Sequence, residues 1–176
     1  MSELPEWYVI TGGPSSGKTT IISRLSEKGY YVVPEAARIL IDNELALGKS
    51  LEEIRINELE FQRKVLKLKI EIESKTPQDK IVLFDRAMPD SIAYYKVCEG
   101  NADEVMRFCK EKRYKKIFFL EQLPFEKDYA RIEDEMLANK LSMLLKQAYM
   151  DLNYDVVSVP PVDVDERLKL ILSEIR

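Results

Sequence analysis

The chain contains no histidine. That removes the commonest general base near neutral pH and the commonest side-chain ligand for transition metals. Acid–base work must then fall to Asp, Glu, Lys or Tyr, and any metal is expected to be a hard cation held by oxygen. Cysteine is scarce too: Cys98 and Cys109 stand in no metal-binding or redox spacing and read as two small buried hydrophobes. The opening "MSELPEWYVI" lacks the basic n-region of a secretory leader and runs straight into a strand. No apolar run approaches the length of a membrane span. Together these absences lead us to expect a cytoplasmic protein with no membrane partner.

Excess positive charge is missing as well. The 27 basic and 31 acidic residues leave a net charge of −4, which gives no general attraction to nucleic acid. The one basic run, "KEKRYKK" at Lys110–Lys116, reads as the solvated end of a helix leading into a strand. The 176 residues suit one domain with a substantial core, without repeat, low-complexity segment or linker.

What the chain does contain is an alternation of short apolar runs and longer helical patterns. Strands are expected at 7–11, 30–33, 80–85, 116–121 and 155–159, each β-branched or aromatic and nearly continuously apolar. Strands buried on both faces of a parallel sheet have that composition. Helices are expected at 18–28, 35–47, 50–75, 89–98, 101–112, 133–151 and 163–175. The alternation predicts a three-layer α/β fold with right-handed crossovers. On the 50–75 helix, Leu51, Ile54, Glu58, Phe61, Val65, Leu68 and Ile72 share one face. Glu58, with Gln62 one turn on, either borders a polar cleft or reaches solvent at the stripe's edge.

"GGPSSGKT", Gly12–Thr19, satisfies every fixed position of G-x-x-x-x-G-K-[ST] between a strand and a helix. Glycines let such a loop wrap an anion closely, while backbone N–H groups and the helix N-terminus face it. Gly12, Gly13, Pro14, Ser15, Ser16, Gly17, Lys18, Thr19 and Thr20 are the candidate nucleotide contacts. Lys18 is expected on the β- and γ-phosphates and the Thr19 hydroxyl on Mg²⁺.

Two acid–base pairs follow. Asp85 ends an apolar strand, at the edge of an α/β sheet where ligands bind. It either holds Mg²⁺ or accepts a proton from an attacking hydroxyl. Arg86 beside it can clamp an anion or lie on the surface. Glu35 and Arg38 lie just past the second strand; Glu35 either favours a helix macrodipole or aims at the cleft. Asp90 and Ser91 read as helix caps.

The segments "GGPSSGKTT", "VVPEAARILI", "LFDRAMPDSIAYY", "FFLEQLPFEKDYARIEDEMLANKL" and "LNYDVVSVPPVDVDERLKLIL" together resemble the NadR-like AAA-domain family of P-loop ATPases and small-molecule kinases. The likeness covers nearly the whole chain in order, with no arginine-finger or sensor layout of a hexameric motor. A wider resemblance joins the chain to nucleoside and thymidylate kinases. Those enzymes carry an acidic residue after strand 2, matched by Glu35 and Arg38, and a D-R pair after strand 3, matched by Asp85 and Arg86. Ala87-Met88-Pro89 replaces their usual aromatic after D-R, which argues against thymidylate itself. The resemblance implies a P-loop fold with a five-stranded parallel sheet in the order 2-3-1-4-5. It also implies a base-reading glutamine at Gln62, a lid around 123–135 with Arg131 and Lys127 facing the transferring phosphoryl group, and an adenine-packing loop at Val159–Asp163. The alternative for the lid is a charged turn between helices.

The function expected is an ATP- and Mg²⁺-dependent kinase for a nucleoside-, nucleotide- or vitamin-like acceptor, with room for a homodimer. Asp85 is expected near Mg²⁺ and Glu35 on the acceptor. The competing expectation is a regulatory ATPase or GTPase. GTP is the less favoured nucleotide, because Asn139-Lys140-Leu141-Ser142 breaks the N-K-x-D guanine signature.

Overall fold

A computed structural model of the chain describes residues 3–124 and 132–175, with the backbone alone at 132–134. Five strands, β1 Trp7–Gly12, β2 Tyr31–Val33, β3 Val82–Asp85, β4 Lys116–Leu120 and β5 Val156–Val159, form one sheet in the order β2-β3-β1-β4-β5. All pairings are parallel, with Ile10 opposite Asp85 on one side and Phe118 on the other. Parallel neighbours need long crossovers, and the helices supply them. These are α1 Lys18–Glu27, α2 Ala36–Ala46, α3 Leu51–Ile54, α4 Glu58–Lys75, α5 Asp90–Val97, α6 Asp103–Met106, α7 Ile132–Asp151 and α8 Val164–Glu174.

Strand alternation divides the core between two layers. Trp7, Val9, Phe84 and Ile117 face one side, where Tyr114, Tyr149 and Tyr154 pack on them. Tyr8, Ile10, Leu83 and Phe118 face the other, covered by Ile21 and Leu25 of α1 and Leu168 and Ile171 of α8. β1 is buried throughout, as its unbroken apolar sequence requires, whereas Tyr31 and Ser158 of the outer strands are exposed. Because all five strands run the same way, their C-terminal ends open on one edge. Gly12 and Asp85 both lie there.

Three expectations need correction. The helix expected over 50–75 is two helices. Asn57 adopts an extended conformation and its side chain accepts from the Glu60 N–H (3.1 Å), starting α4 afresh. The helix expected at 101–112 is the single turn α6. The basic run at 110–116 is consequently not a helix end. Its side chains reach separate partners, Arg113 meeting Glu73 (3.2 Å) and Lys116 meeting Glu174 (2.5 Å). Cys109 is buried, which pushes its thiol up to about 12, while Cys98 is only partly covered. Among the described residues no helix is long and apolar enough to cross a membrane.

Glu73 is buried beneath this layer, where its carboxylate accepts from the Tyr114 hydroxyl and from Arg113. Burial raises its pKa above the ordinary value of 4.5, outweighing Tyr114 and Arg113, which act to lower it. A carboxyl raised on folding favours the folded state below its unfolded pKa, and that contribution is lost as pH climbs through the folded one. Glu73→Gln should therefore gain stability relative to wild type as pH rises from 4 to 7. Urea denaturation at several pH values measures it; parallel stability curves for the two proteins would refute it.

Candidate active site

The turn from β1 into α1 follows from its glycines. A Cβ on Gly12 would stand 2.7 Å from the Leu120 carbonyl oxygen, and one on Gly13 would stand 2.8 Å from Ser142 Cβ. Gly17, at φ +76°, takes the left-handed conformation that carries the chain into α1, and Ser15 shares that region at φ +61°. Three successive carbonyls of the loop are taken up by other segments. Pro14 accepts from Gln122 Nε2 (3.1 Å), Ser15 from the Leu123 N–H (3.0 Å) and Ser16 from Arg167 Nη1. In a planar trans peptide the N–H points opposite to its C=O. The outward bonds thus turn the N–H groups of Ser15, Ser16 and Gly17 the other way, as an anion cradle requires. Thr19 and Thr20 are exposed in the first turn of α1.

Lys18 leaves the loop buried, and its ammonium lies between two carboxylates. It contacts Asp85 Oδ1 from β3 and Glu35 Oε2 at 3.4 Å from the start of α2. Burial raises the Asp85 pKa, with Lys18 the main opposing influence. Glu35 precedes the first residue of α2 and makes no side-chain cap to it. Its other oxygen is 3.3 Å from Arg86 Nε. Glu35 therefore touches both Lys18 and Arg86, and Lys18, Glu35, Asp85 and Arg86 form one cluster that leaves Arg38 out.

Arg86 is deeply buried rather than superficial, with only 8% of its side chain exposed. Its backbone is left-handed at φ +62°, a conformation that side chains other than Asn, Asp and Gly seldom take. The buried carboxylate of Asp90 braces it. Asp90 accepts from the Ala87 N–H (2.8 Å), the Tyr149 hydroxyl, the Thr11 hydroxyl and Arg86 Nη1 (3.4 Å). Among the described residues the Arg86 Nε–H has no acceptor in hydrogen-bond geometry, despite the nearby Glu35. The guanidinium stacks over Tyr94, 5.5 Å from its ring centre.

A cavity of about 260 Å³ opens beside this cluster, lined by Glu35, Arg38, Phe61, Gln62, Lys69 and Arg86 among others. It is just under the roughly 300 Å³ at which small-molecule sites begin. Gln62 is buried and donates to Glu58 (3.1 Å), which also receives a two-pronged bond from Arg55. Glu58 itself does not line this cavity, although its partners Arg55 and Gln62 do, and 38% of its side chain is exposed. Arg38 lies mostly in solvent and pairs with Asp42 at 3.3 Å. Arg131 and Lys127, with most of the expected lid at 123–135, fall outside the described residues.

Residues 7–167 match the family model described as an AAA domain. The chain belongs to this family. No curated protein matches it. Among solved structures the fold is similar to NadR protein in complex with NR, with TM-score 0.63 and 18% identity over 89% of this chain and 46% of that one. The chain thus spans about half the length of that protein. Thymidylate kinase from Ehrlichia chaffeensis matches with TM-score 0.66 and 16% identity, covering 97% of this chain and 98% of that chain. Deoxyadenosine kinase from M. mycoides with bound dCTP matches with TM-score 0.56 and 18% identity, covering 96% and 97%. These are likenesses of fold, and the 2-3-1-4-5 order of the P-loop kinase fold is present here.

Some site residues escape sequence reasoning. Asp90 bonds back to Ala87 as a cap would, yet its other partners are distant in sequence. Ser91 is no cap and accepts from the buried Lys69 (2.8 Å). Gln62, Leu66, Lys69 and Glu73 continue one another at spacings of four, three and four, and this second buried stripe was the available signal. Asp90 is zero per cent exposed, so its bonds cannot be exchanged for water. Tyr149→Phe, which removes one donor to this carboxylate, should lower stability by about 1.5–3 kcal/mol. Thermal or urea denaturation tests this, and an unchanged midpoint would show that the bond contributes nothing.

Proposed function

We propose that the chain is a kinase that moves the γ-phosphoryl group of ATP to a hydroxyl of a nucleoside-, nucleotide- or vitamin-like acceptor. The observation that carries the reading is Glu35, which lines the cavity and touches both Lys18 of the phosphate loop and Arg86. Its carboxylate joins a donor half to an acceptor half. Similar folds in NadR with NR and in the deoxyadenosine and thymidylate kinases support the same class of chemistry.

In this reading the triphosphate lies along Gly12–Thr20, with the N–H groups of Ser15, Ser16 and Gly17 and the Lys18 ammonium on its oxygens. The Thr19 hydroxyl and Asp85 would hold Mg²⁺. Among the described residues no three carboxylate or thiol side chains gather into a cage, and Mg²⁺ suits such a sparse donor set because phosphates and water complete its shell. When bound, the ion neutralises charge on the β- and γ-phosphates. Arg86 and Gln62 orient the acceptor in the cavity. The acceptor oxygen attacks the γ-phosphorus and its proton passes to Glu35. The bond from the γ-phosphorus to the bridging oxygen breaks, and ADP leaves with both electrons. Glu35 is better placed than Asp85 to take that proton, because it lines the cavity and Asp85 does not. Arg131 remains a proposed partner of the transferring group.

The test is ATP consumption with Mg²⁺ and pooled nucleosides, nucleotides and vitamins. Turnover that appears only with an acceptor supports the kinase; turnover indifferent to every acceptor supports a regulatory ATPase instead. Glu35→Gln should slow transfer by about 100-fold or more while ATP still binds. Lys18→Ala should abolish turnover. Full transfer by Glu35→Gln would remove Glu35 as the base.

A further inference from the structure

Arg167 belongs to α8, far in sequence from the phosphate loop, and only 2% of it is exposed. A buried arginine ordinarily meets a carboxylate, but the hydrogen bonds of this one go to backbone carbonyls. Nη1 donates to Ser16, Nη2 to Glu121 (2.7 Å) and Nε to Pro160 (2.8 Å). Among the described residues the carboxylate that acts on it electrostatically is that of Glu121, which pairs with Lys146 at 3.0 Å. A cation is thus held directly behind the phosphate loop. A Cβ on Gly17 would stand 3.4 Å from Arg167 Nη1.

We infer that Arg167 is a positioning residue of the triphosphate subsite, acting on bound phosphates through its charge and through the Ser16–Gly17 peptide. The inference rests on the nucleotide-binding reading of the loop. By holding the Ser16 carbonyl, Arg167 turns the next N–H, that of Gly17, toward the phosphates. Its charge, screened by protein rather than by water, adds to the attraction that the loop exerts on an anion. The bond to Pro160 ties the segment after β5 to the same guanidinium, so one side chain links three loops at the ligand edge.

A structural role and an electrostatic role differ in one measurable respect. Loss of a charge weakens a ligand in proportion to the negative charge that the ligand carries, whereas a misplaced loop weakens all of them alike. Calorimetric titration of folded wild type, Arg167→Met and Arg167→Lys with ATP, ADP and AMP separates the two. Arg167→Met should bind ATP about tenfold or more weakly, ADP less so, and AMP least affected. Arg167→Lys should keep most of the preference for ATP over AMP. Arg167→Gln serves in place of Met if the apolar variant does not fold. Equal losses for all three nucleotides, or no loss, would overturn the inference while leaving nucleotide binding in place. Failure of folded wild type to bind ATP would overturn the nucleotide reading itself.

Discussion

The shared contact of Lys18 with Asp85 and Glu35 is the constraint on which the site depends. Three chain segments must converge for it to form. Lys18 comes from the turn after β1, Asp85 from the end of β3, and Glu35 from the step between β2 and α2. Parallel pairing of β1 and β3 sets Ile10 beside Asp85, and pairing of β2 with β3 brings Glu35 to the same edge. A slip of one residue between β1 and β3 would send Asp85 to the opposite face of the sheet. The register that fills the two core layers with apolar side chains therefore also fixes the charges.

Burial gives these charges their force and their cost. Removing a charge from water is unfavourable unless other groups replace the lost hydration. Asp90 receives that replacement from Ala87, Thr11, Tyr149 and Arg86. Arg86 receives less of it. Its Nε–H is unsatisfied, and its backbone adopts a rare conformation. Such residues persist where the surroundings over-determine them, and they gather where a protein binds a ligand. Asp90 and Tyr94 supply the over-determination here, holding a rigid guanidinium at the wall of the cavity.

The fold was legible in the sequence because its signals are local. β1 is a continuous apolar run leading into a glycine loop, and nearly continuous apolar strands alternating with helical patterns leave few architectures to choose from. The helix boundaries at Asn57 and Met106 were less legible. Apolar spacing continues across the first break, and only the cap at Asn57 marks it. The site divided along the same line. Lys18, Glu35, Asp85 and Arg86 follow strands directly, so their place at the sheet edge could be read. Asp90 with Tyr149 spans 59 positions and Arg167 with Ser16 spans 151. Nothing in the spacing of either pair announces a contact, because both depend on how helices lie across a finished sheet. The size of the cavity likewise emerges only when α2, α4 and α5 are packed together.

If the loop binds a nucleotide as proposed, the ion pair that unites the site also limits what Lys18 can contribute to its affinity. In the structure described here its charge is already balanced by two carboxylates. A phosphate that takes up the ammonium exchanges one set of charge-assisted bonds for another, so the net gain is smaller than for an unpaired lysine. It also leaves Asp85 without its strongest counter-charge, in surroundings that already disfavour ionisation. A divalent cation arriving with the phosphates would restore that balance. On the proposed kinase reading, binding of phosphate at Lys18 and of a cation at Asp85 would therefore be coupled through charge. Backbone N–H groups carry no such coupling, because their orientation is fixed beforehand by the outward bonds of Pro14, Ser15 and Ser16. On that reading the loop would supply a standing attraction for phosphate, and the Lys18–Asp85 contact would make the full strength of binding conditional on the metal.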